Sequence, residues 1–563
     1  MSPKKLNLTG LKLAGLVLFS CLFFMHAADW QWLRTAGGNN AEVAGQIAVD
    51  DAGSAYIVGS FNSTNCPFGS IVLTNTFKAS VSTWDGFLAK YDTYGNIQWA
   101  VKFGGTNDDR AWGVAVDAQR NSYISGWFES TNFYIGNAIL TNYSPYANPC
   151  LFVAKYDPDG HFLWARSAAG YSSSGQAVVA DSAGNVYAAG SFTGTNIFGG
   201  SKLVGQGNGN IVLLKFDSNG NQLWVKQAGG STGPDTPART ALALDSGNNV
   251  YLLANIRSTN AVFGSFTFSV AGTNFSQNMV VAKYDPSGNV LWGKEYGGTD
   301  LDGGTAIAIG PGTNIFVTGN FLSTNLAFGS TILHGTGNII DPSIFVAVLD
   351  NNGNALSAWP VTCDNSCSSI DIAADPVGNC YIAGFFQGTN LTFNSGWLNT
   401  VILTNSFPGY FSQPNAFVAK FDASGNIIHV FHPVGPGNQE AFSVAVDSHA
   451  TPYVTGWTMG TNVMFGSLAT TNFYVDLFAA KLDANLPSLQ IINGGITSDN
   501  TNAATVSWPI LQTGSANFTL DSSSDLLTWT PTAPLNTVTG AVQYSEIVPK
   551  PDTQAFYRLR IYH

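Results

Sequence analysis

Charged side chains are scarce in this sequence of 563 residues, since Asp, Glu, Lys and Arg together make up only 10%. The 35 acidic residues outnumber the 23 basic ones, which gives a formal net charge of −12. Nucleic-acid phosphates and anionic lipids repel such a chain, so we expect no nucleic-acid partner. Hydrophobic residues nevertheless reach 45%, which excludes a disordered chain.

Cysteine is equally rare, and its six copies exclude a disulfide-dense scaffold. The spacing of Cys363 and Cys367 allows a disulfide that closes a short loop. The alternative is that both remain free thiols. We expect no zinc site there, because no histidine lies in that stretch.

The seven histidines are scattered, and none has the spacing of metal ligands or of a catalytic triad. The sequence also lacks a glycine-rich phosphate loop. Residues 157–160 (Asp-Pro-Asp-Gly) and 300–303 (Asp-Leu-Asp-Gly) are similar to fragments of calcium loops, but they lack the trailing glutamate. We interpret both as turns, and we expect neither a metal ion nor a cofactor.

A long hydrophobic run occurs at residues 13–25, directly after Lys4, Lys5 and Lys12. This pattern predicts a secretory signal peptide over residues 1–28. The run is too short to remain as a membrane span. We therefore expect a secreted or cell-surface protein with no membrane span after signal removal.

Four strand-like pieces, A to D, recur with a period of about 65 residues. Piece A ends in an Asp, as in Ile-Ala-Val-Asp50, and piece B carries a Tyr or Phe six residues later. Piece C has the form Phe-Val-Ala-Lys-Tyr-Asp, and piece D carries a tryptophan such as Trp292 in most copies. Residues in these pieces alternate between the two faces of a strand, and pieces A, B and C each occur seven times.

The ends of the array favour a closed ring over an open solenoid. The first piece after the signal segment is a D piece with Trp30 and Trp32, whereas the array stops after a C piece that ends at Asp483. The N-terminal strand then completes the last sheet and leaves no free edge. We predict an all-β chain, with a seven-bladed β-propeller over residues 29–485 that the N-terminal strand closes, followed by a small β-sandwich.

The repeat resembles the bacterial SBBP-type β-propeller repeat, with the pattern G-I-A-V-D-x-x-G-N-x-Y-x-x-G followed by F-V-A-K-x-D-x-x-G-N. Residues 178–190 and 417–426 carry its two halves. The resemblance covers about residues 30–484 and implies a propeller fold and an exported or surface location. It implies no particular chemistry.

Residues 488–563 have a different pattern of short alternating segments separated by turn residues. They predict a small β-sandwich with Trp508, Trp529 and Tyr557 in its core. The run Leu-Asp-Ser-Ser-Ser-Asp-Leu-Leu-Thr-Trp and the closing Phe-Tyr-Arg-Leu-Arg resemble the fibronectin type III-like tails of exported bacterial proteins. That resemblance implies a role in attachment or spacing.

Six units combine the Asp that ends A, the Tyr that begins B and a Lys near the end of C. These positions share one edge of an antiparallel sheet, so we predict a structural Asp–Tyr–Lys cluster in each of the six. The fifth unit has Gly310, Phe316 and Val348 instead. The predicted cluster residues are Asp50, Tyr56 and Lys90; Asp117, Tyr123 and Lys155; Asp181, Tyr187 and Lys215; Asp245, Tyr251 and Lys283; Asp375, Tyr381 and Lys420; and Asp447, Tyr453 and Lys481.

The B-to-C insertions lie at the opposite edge, and each opens with a Thr-Asn-x-x-Phe-Gly-like motif that predicts a hairpin. The sixth unit has the longest insertion and collects four aromatic residues there, namely Trp397, Phe407, Tyr410 and Phe411. These side chains either fill a small core beneath the loop or form a platform for a sugar or a partner chain.

Two classes of function remain. The first is an exported, non-catalytic binding or scaffold protein, expected to be a monomer, that recognises a glycan or protein through the face with the B–C insertions. The alternative is an extracellular polysaccharide-degrading enzyme, either a glycosidase or a lyase, which requires paired carboxylates. Its candidate acids are Asp108, Asp109, Asp235, Asp300 and Asp302.

Overall fold

The computed structural model describes residues 30–76, 83–144, 146–270, 276–335, 341–395, 399–405, 413–460, 462–470 and 474–482, together with the backbone of six strands after residue 494. The regular structure in these ranges is β-strand, apart from one 3-10 turn at Pro311–Thr313. The described part of the chain is therefore all-β, as its alternating pattern predicted. None of the described helical structure is long and apolar enough to cross a membrane.

Residues 30–482 contain seven repeat units, and in each of them strands A, B, C and D lie side by side in antiparallel order. A short hairpin connects B to C. The first strand of the described chain is β1 (Trp30–Ala36). Unit 1 contains β2 (Glu42–Val49), β3 (Ala55–Phe61), β4 (Asn65–Phe68), β5 (Ile71–Thr74), β6 (Asp85–Tyr91) and β7 (Ile97–Gly104). Unit 2 contains β8 (Asp109–Val116), β9 (Ser122–Phe128), β10 (Asn132–Ile135), β11 (Ala138–Thr141), β12 (Cys150–Tyr156) and the first half of β13 (Phe162–Ala180).

The remaining units repeat this arrangement. Unit 3 contains the second half of β13, β14 (Val186–Phe198), β15 (Ser201–Val204), β16 (Asn210–Phe216) and β17 (Gln222–Ala228). Unit 4 contains β18 (Thr236–Leu244), β19 (Val250–Ile256), β20 (Ala261–Phe263), β21 (Phe266–Phe268), β22 (Asn278–Tyr284) and β23 (Val290–Tyr296). Unit 5 contains β24 (Asp302–Ile309), β25 (Ile315–Phe321), β26 (Asn325–Phe328), β27 (Thr331–His334), β28 (Ser343–Leu349) and β29 (Ala355–Cys363). Unit 6 contains β30 (Cys367–Ala374), β31 (Cys380–Phe386), β32 (Asn390–Ser395), β33 (Asn399–Thr404), β34 (Asn415–Phe421) and β35 (Ile427–Phe431). Unit 7 contains β36 (Asn438–Val446), β37 (Pro452–Met459), β38 (Val463–Phe465), β39 (Leu468–Thr470) and β40 (Asp476–Leu482).

The N-terminal strand β1 pairs antiparallel with β40, from Ala36 opposite Leu477 to Trp30 opposite Leu482. It therefore serves as strand D of unit 7, although it lies at the other end of the chain.

Strands B and C are buried on both faces because neighbouring sheets cover them. Every residue of β3 and of β22 is buried, whereas strand D in β23 exposes part of its surface. The apolar cores lie between consecutive units, and one core contains Val58 and Leu88 of unit 1 together with Ile124 and Phe152 of unit 2. This double burial explains why B and C read as nearly continuous hydrophobic runs.

Aspartate side chains shape the A–B and C–D turns. Asp50 Oδ1 accepts the N–H groups of Ala52 at 3.0 Å and Ser54 at 2.8 Å. In the C–D turn of unit 1, Asp92 Oδ1 accepts the N–H groups two and four residues later at 2.9 and 2.8 Å. The side chain thus holds the turn backbone in place, which is the physical role of the repeated Asp-x-x-Gly-Asn sequence.

The B–C hairpins extend the sheet of the preceding unit. Strand β10 of unit 2 pairs with β7 of unit 1, and β32 of unit 6 pairs with β29 of unit 5. This pairing covers part of the outer edge of strand D, which would otherwise present unpaired backbone groups.

The strands beyond the repeats form two separate three-stranded sheets, in the orders β41–β42–β45 and β44–β43–β46. Their bounds are β41 (Gly495–Thr497), β42 (Ala503–Ile510), β43 (Ala516–Ser523), β44 (Thr530–Val538), β45 (Val542–Pro549) and β46 (Phe556–Tyr562). The side chains expected in a sandwich core, Trp508, Trp529 and Tyr557, lie outside what the structure describes. The fibronectin type III-like assignment stays a prediction.

The turn geometry predicts opposite effects of two substitutions at the fourth turn position. Ala450 has φ of 63° and Gly378 has φ of 96°, and the left-handed region disfavours a side chain. We expect Ala450→Gly to raise the free energy of unfolding by about 1 kcal/mol and Gly378→Ala to lower it by about as much. Denaturant unfolding of the full chain measures both. Equal effects of the same sign would contradict the turn argument.

Candidate functional site

A cavity of about 320 Å³ lies between the A strands of six units, and we call it the axial cavity. Its wall consists largely of Val, Leu, Ile and Ala side chains. The polar side chains in its lining are Gln46, Thr240, Asp371 and Ser443. An apolar pocket with a few converging polar groups is the usual form of a ligand site.

The polar side chains form a hydrogen-bonded chain across the axial cavity. Gln46 Nε2 donates to Thr240 Oγ1 at 2.8 Å and so joins unit 1 to unit 4. Ser443 Oγ donates to Asp371 Oδ2 and accepts the N–H of Ile47 at 3.2 Å, joining units 6, 7 and 1. These bonds satisfy the polar groups within the protein itself.

Asp371 is the buried acid of this chain, with 3% of its surface exposed. Burial raises the pKa of its carboxyl group, although hydrogen bonds from Ser443, from the N–H of Val444 at 3.0 Å and from the N–H of Ile372 at 2.9 Å oppose that rise. Asp371 therefore accepts three hydrogen bonds from within the protein.

Arg239 occupies the axis next to this chain, and two aromatic rings enclose its guanidinium group. The Cζ atom lies 4.3 Å from the ring centroid of Phe442 and 5.3 Å from that of Trp112. Burial lowers the pKa of Arg239 to about 10, and the charges of Asp371 and Glu440 partly offset this effect. Its Nη2 atom is buried without an acceptor among the described residues.

The register of the A strands explains why Trp112 and Phe442 lie on either side of Arg239. Trp112 and Phe442 each lie five residues before the Asp that ends strand A, and Gly45 holds the same position in unit 1 between them. A Cβ atom on Gly45 would come within 2.8 Å of the Trp112 carbonyl oxygen, so the neighbouring backbones approach closely there. Glycine at this position therefore lets the A strands of units 1 and 2 lie close together.

More aromatic and charged groups lie toward the edge where the D–A connections enter. Trp457 Nε1 donates to Glu440 Oε2 at 3.2 Å, and burial raises the pKa of Glu440. The Arg110 guanidinium stacks on Trp84 with 4.2 Å between Cζ and the ring centroid. We call Trp112, Arg239, Glu440, Phe442 and Trp457 the axial cage.

The axial cage was absent from the residues singled out in the sequence. One signal was available, because the position five residues before the terminal Asp varies strongly while its neighbours repeat. In chain order that position holds Gly45, Trp112, Gln176, Thr240, Thr305, Ile370 and Phe442. Arg239 lies one residue before Thr240, which holds this position in unit 4, and the D–A connection before that A strand contains extra residues.

The Asp, Tyr and Lys residues expected to cluster lie near one another, but the expected charge pairing is incomplete: lysine–aspartate distances of 4.0 Å or less are found in units 2, 4 and 6, whereas Lys90 and Lys215 donate to carbonyl oxygens of the next unit. Tyr123 Oη donates to Asp117 Oδ2 at 2.8 Å, and Lys283 Nζ lies 3.1 Å from Asp245 Oδ2. Lys155 Nζ lies 4.0 Å from Asp117 Oδ2, beyond hydrogen-bond reach. In all six clusters the lysine Nζ lies 4.7 to 5.2 Å from the tyrosine ring centroid. In unit 5, the equivalent Phe316 and Val348 are buried in an apolar core.

Cluster residues also bind the next unit. Lys90 Nζ and Trp99 Nε1 of unit 1 both donate to the Pro158 carbonyl oxygen of unit 2, at 3.0 Å each. Tyr123 Oη of unit 2 donates to the Gly184 carbonyl oxygen of unit 3 at 3.2 Å. Each cluster thus fastens its unit to a turn of the following unit, a role that the sequence pattern did not indicate.

The candidate catalytic acids in the D–A connections are divided between buried and more exposed positions. Asp109, Asp235 and Asp302 are fully buried. Asp109 Oδ2 accepts the Gly105 N–H and the Ser130 hydroxyl, both at 2.7 Å, and Asp302 accepts the equivalent groups. Asp235 accepts the N–H groups of Gly230 and Ser258. Burial raises the pKa of Asp109 to about 7. These three acids hold loops together.

The other two candidate acids lie nearer the surface. Asp108 Oδ2 lies 3.6 Å from Arg110 Nη2, and the N–H of Asp300 donates to Ser323 Oγ at 2.9 Å. Neither contact pairs one candidate acid with another.

Asp157, Asp159 and His161 bring oxygen and nitrogen atoms within 4.8 Å of one another. Asp157 Oδ1 accepts the N–H groups of the other two residues at 3.0 and 2.8 Å. The same arrangement recurs in the other described C–D turns, which supports the interpretation of a turn.

Cys363 and Cys367 form a disulfide between β29 and β30. Cys66, Cys150 and Cys380 are buried thiols. The four aromatics of the sixth insertion, Trp397, Phe407, Tyr410 and Phe411, lie outside the described residues. The choice between a satellite core and a binding platform therefore stays open.

No protein-family model matches the chain. A relative, the uncharacterized WD repeat-containing protein L264 of Acanthamoeba polyphaga mimivirus, is 24% identical over 492 residues, or 75% of this chain. The chain spans 34% of the length of that relative. This similarity and the four-stranded units indicate a repeat β-propeller. The bacterial origin implied by the SBBP resemblance finds no support, because the relative is viral.

Two solved structures are also similar. A subtype N10 neuraminidase-like protein of A/little yellow-shouldered bat/Guatemala/060/2010 has 10% identity and a TM-score of 0.32, covering 66% of this chain and 93% of that one. A glycoside hydrolase has 11% identity and a TM-score of 0.21, covering 67% of this chain and 91% of that one.

The buried pair of Lys283 and Asp245 predicts a non-additive response to substitution. Lys283→Met leaves an uncompensated buried carboxylate, so we expect a loss of about 3 kcal/mol in the free energy of unfolding. Adding Asp245→Asn removes that charge, and the side-chain oxygen of the new asparagine can still accept the N–H groups of the turn. The double variant should therefore be more stable than the Lys283→Met single variant. A double-mutant cycle in denaturant measures the coupling. A double variant less stable than both single variants would refute the predicted coupling between Lys283 and Asp245.

Glu42 predicts a pH dependence of stability. Burial raises its pKa from 4.5 to about 7, and repulsion from Asp476 adds to the rise. A raised carboxyl pKa contributes stability that is fully present below about pH 4.5 and lost as the pH rises through about 7. We expect Glu42→Gln to flatten the unfolding free energy between about pH 5 and 8. The exposed Asp51→Asn is the control, and an unchanged slope in Glu42→Gln would contradict the assignment.

Proposed function

We propose that the seven four-stranded units close into a seven-bladed β-propeller with β1 as the last strand of the ring. Contacts between units 7 and 1 support closure, because they repeat the contacts between other neighbours. Tyr453 Oη donates to the Gly53 carbonyl oxygen at 3.1 Å, and Trp32 Nε1 donates to the Thr93 carbonyl oxygen at 3.1 Å. Joint lining of the axial cavity by six A strands also supports a ring.

On this ring the protein acts as an exported, non-catalytic binding or scaffold protein that recognises a glycan or another protein. The observation that carries this proposal is the axial cage, where unit-specific aromatic and charged residues replace the small and aliphatic residues of the repeat. Such residues do not serve the repeat itself. Glu440 lies near the start of its A strand and Trp457 near the end of its B strand, so the cage is close to the D–A connections and the B–C hairpins, where variable loops can provide further contacts.

The alternative is an extracellular polysaccharide-degrading enzyme, which requires two carboxylates placed around a substrate bond. Asp109, Asp235 and Asp302 use their oxygens to hold loops. Glu440 and Asp371 both favour the charged form of Arg239, and Asp371 accepts three hydrogen bonds from within the protein. These features favour binding over catalysis.

Export through the signal segment gives a secreted or cell-surface location. The Cys363–Cys367 disulfide supports this part of the proposal, because disulfides persist in oxidising compartments.

A binding screen of the full mature chain on glycan, cell-wall and secreted-protein arrays tests the function, and a product assay on every bound polysaccharide accompanies it. We expect saturable binding without shortening of the polysaccharide. Steady release of reducing ends or unsaturated products, lost in Glu440→Gln, would overturn the non-catalytic proposal in favour of the enzyme.

A further inference from the structure

The Arg239 guanidinium group has unused hydrogen-bond donors. Its two aromatic neighbours, Trp112 and Phe442, hold it by their ring faces and accept no N–H in the plane of the guanidinium. Among the described residues Arg239 makes no hydrogen bond and no ion pair, although arginine carries five N–H donors. Buried polar groups in folded proteins are nearly always hydrogen-bonded. Donors of Arg239, including the buried Nη2 group, are therefore not used by the protein.

The nearby acids do not engage these donors. Asp371 acts on Arg239 through its charge, but its oxygens accept hydrogen bonds from Ser443, Val444 and Ile372. Glu440 likewise acts through its charge, and Trp457 engages one of its oxygens. Neither acid is hydrogen-bonded to Arg239 in the described part of the chain, so the guanidinium donors remain available to an acceptor on a ligand.

The surroundings restrict the charge of that acceptor. One guanidinium group stands beside two carboxyl groups, so the local field favours a monoanion over a dianion such as a phosphate monoester. A carboxylate also matches the planar fork of arginine with two parallel hydrogen bonds.

The remaining cage residues indicate what carries the carboxylate. Trp112 and Phe442 offer apolar ring faces, on which the C–H face of a sugar ring packs. The Glu440 carboxylate, which Trp457 Nε1 holds through one oxygen, provides an acceptor for hydroxyl groups. A sugar acid combines all three features, namely a carboxylate, an apolar ring face and several hydroxyls.

We propose that the axial cage binds a uronic acid residue of an acidic polysaccharide, with its carboxylate on Arg239 and its ring packed beside the guanidinium group against the aromatic side chains of the cage. This inference rests on the proposed binding function and names its ligand class. The net negative charge of the chain repels a polyanion at long range, so contact within the cage provides the attraction.

Isothermal titration of the full mature chain tests the inference with galacturonate, glucuronate, mannuronate and guluronate oligosaccharides. Each has a matched probe in its methyl ester, which keeps the sugar and removes the charge. We expect at least one uronate to bind about ten- to a hundredfold more tightly than its ester, because charge-assisted hydrogen bonds are lost on esterification. Quenching of tryptophan fluorescence should accompany binding, since Trp112 lies in the cage.

Arg239→Met keeps an apolar side chain between the rings and removes the donors. We expect it to bind the uronate no more tightly than the ester. Arg166→Met is the matched control, because Arg166 also lies over a tryptophan, Trp164, but far from the cage on strand D of unit 2. That variant should bind as the unchanged chain does. Should Arg239→Met fail to fold, Arg239→Lys keeps the charge without the fork and is expected to lose about tenfold.

Equal affinity for every uronate and its ester would overturn this inference, as would uronate binding that survives in Arg239→Met. Preference for a peptide with a free C-terminal carboxylate over all the saccharides would overturn it as well. Binding of neutral glycans or proteins without any uronate binding would refute the ligand class and leave the proposed function standing. Product release from a polysaccharide would refute both.

Discussion

The interaction on which the rest of this structure depends is the hydrogen bonding of an aspartate side chain to the backbone of its own turn. Asp157 fixes its turn by accepting two N–H groups. The turn then presents the Pro158 carbonyl oxygen to Lys90 and Trp99 of the preceding unit. The same side chain therefore shapes the connection between two strands and the contact between two units. Neighbouring sheets bury their B and C strands against each other, and the turns hold them in register at one edge.

This arrangement separates stability from recognition. The repeated turns and the cores between units lie at one edge and in the middle of each sheet, where the same residues recur. The A strands also contribute to those cores, for example through Val114 and Val444, and their positions outside the cores tolerate substitution with little loss of packing. Trp112, Arg239 and Phe442 occupy such positions, and so does the chain of hydrogen bonds from Gln46 to Thr240.

Unit 5 illustrates how the clusters depend on mutual satisfaction. A buried lysine without its carboxylate, or a carboxylate without its lysine, is costly because each leaves a charge in an apolar setting. Gly310, Phe316 and Val348 replace all three members at once, and Phe316 and Val348 pack into a fully apolar core. The turn that lacks the aspartate forms the 3-10 turn Pro311–Thr313 instead.

The sequence by itself determined the strands, the turns and the edge at which the Asp, Tyr and Lys residues gather, because these follow from local periodicity and from strand direction. It also indicated that β1 completes the sheet of unit 7, since a D piece precedes the array and a D piece is missing at its end. It did not indicate that Lys90 binds a carbonyl group of unit 2, or that Arg239 lies between Trp112 and Phe442. Those contacts join residues that are distant along the chain, and they depend on how neighbouring sheets pack and on small offsets in register. Only the tertiary structure decides such offsets, because the distance between side chains that are far apart in the sequence depends on how whole sheets pack against each other.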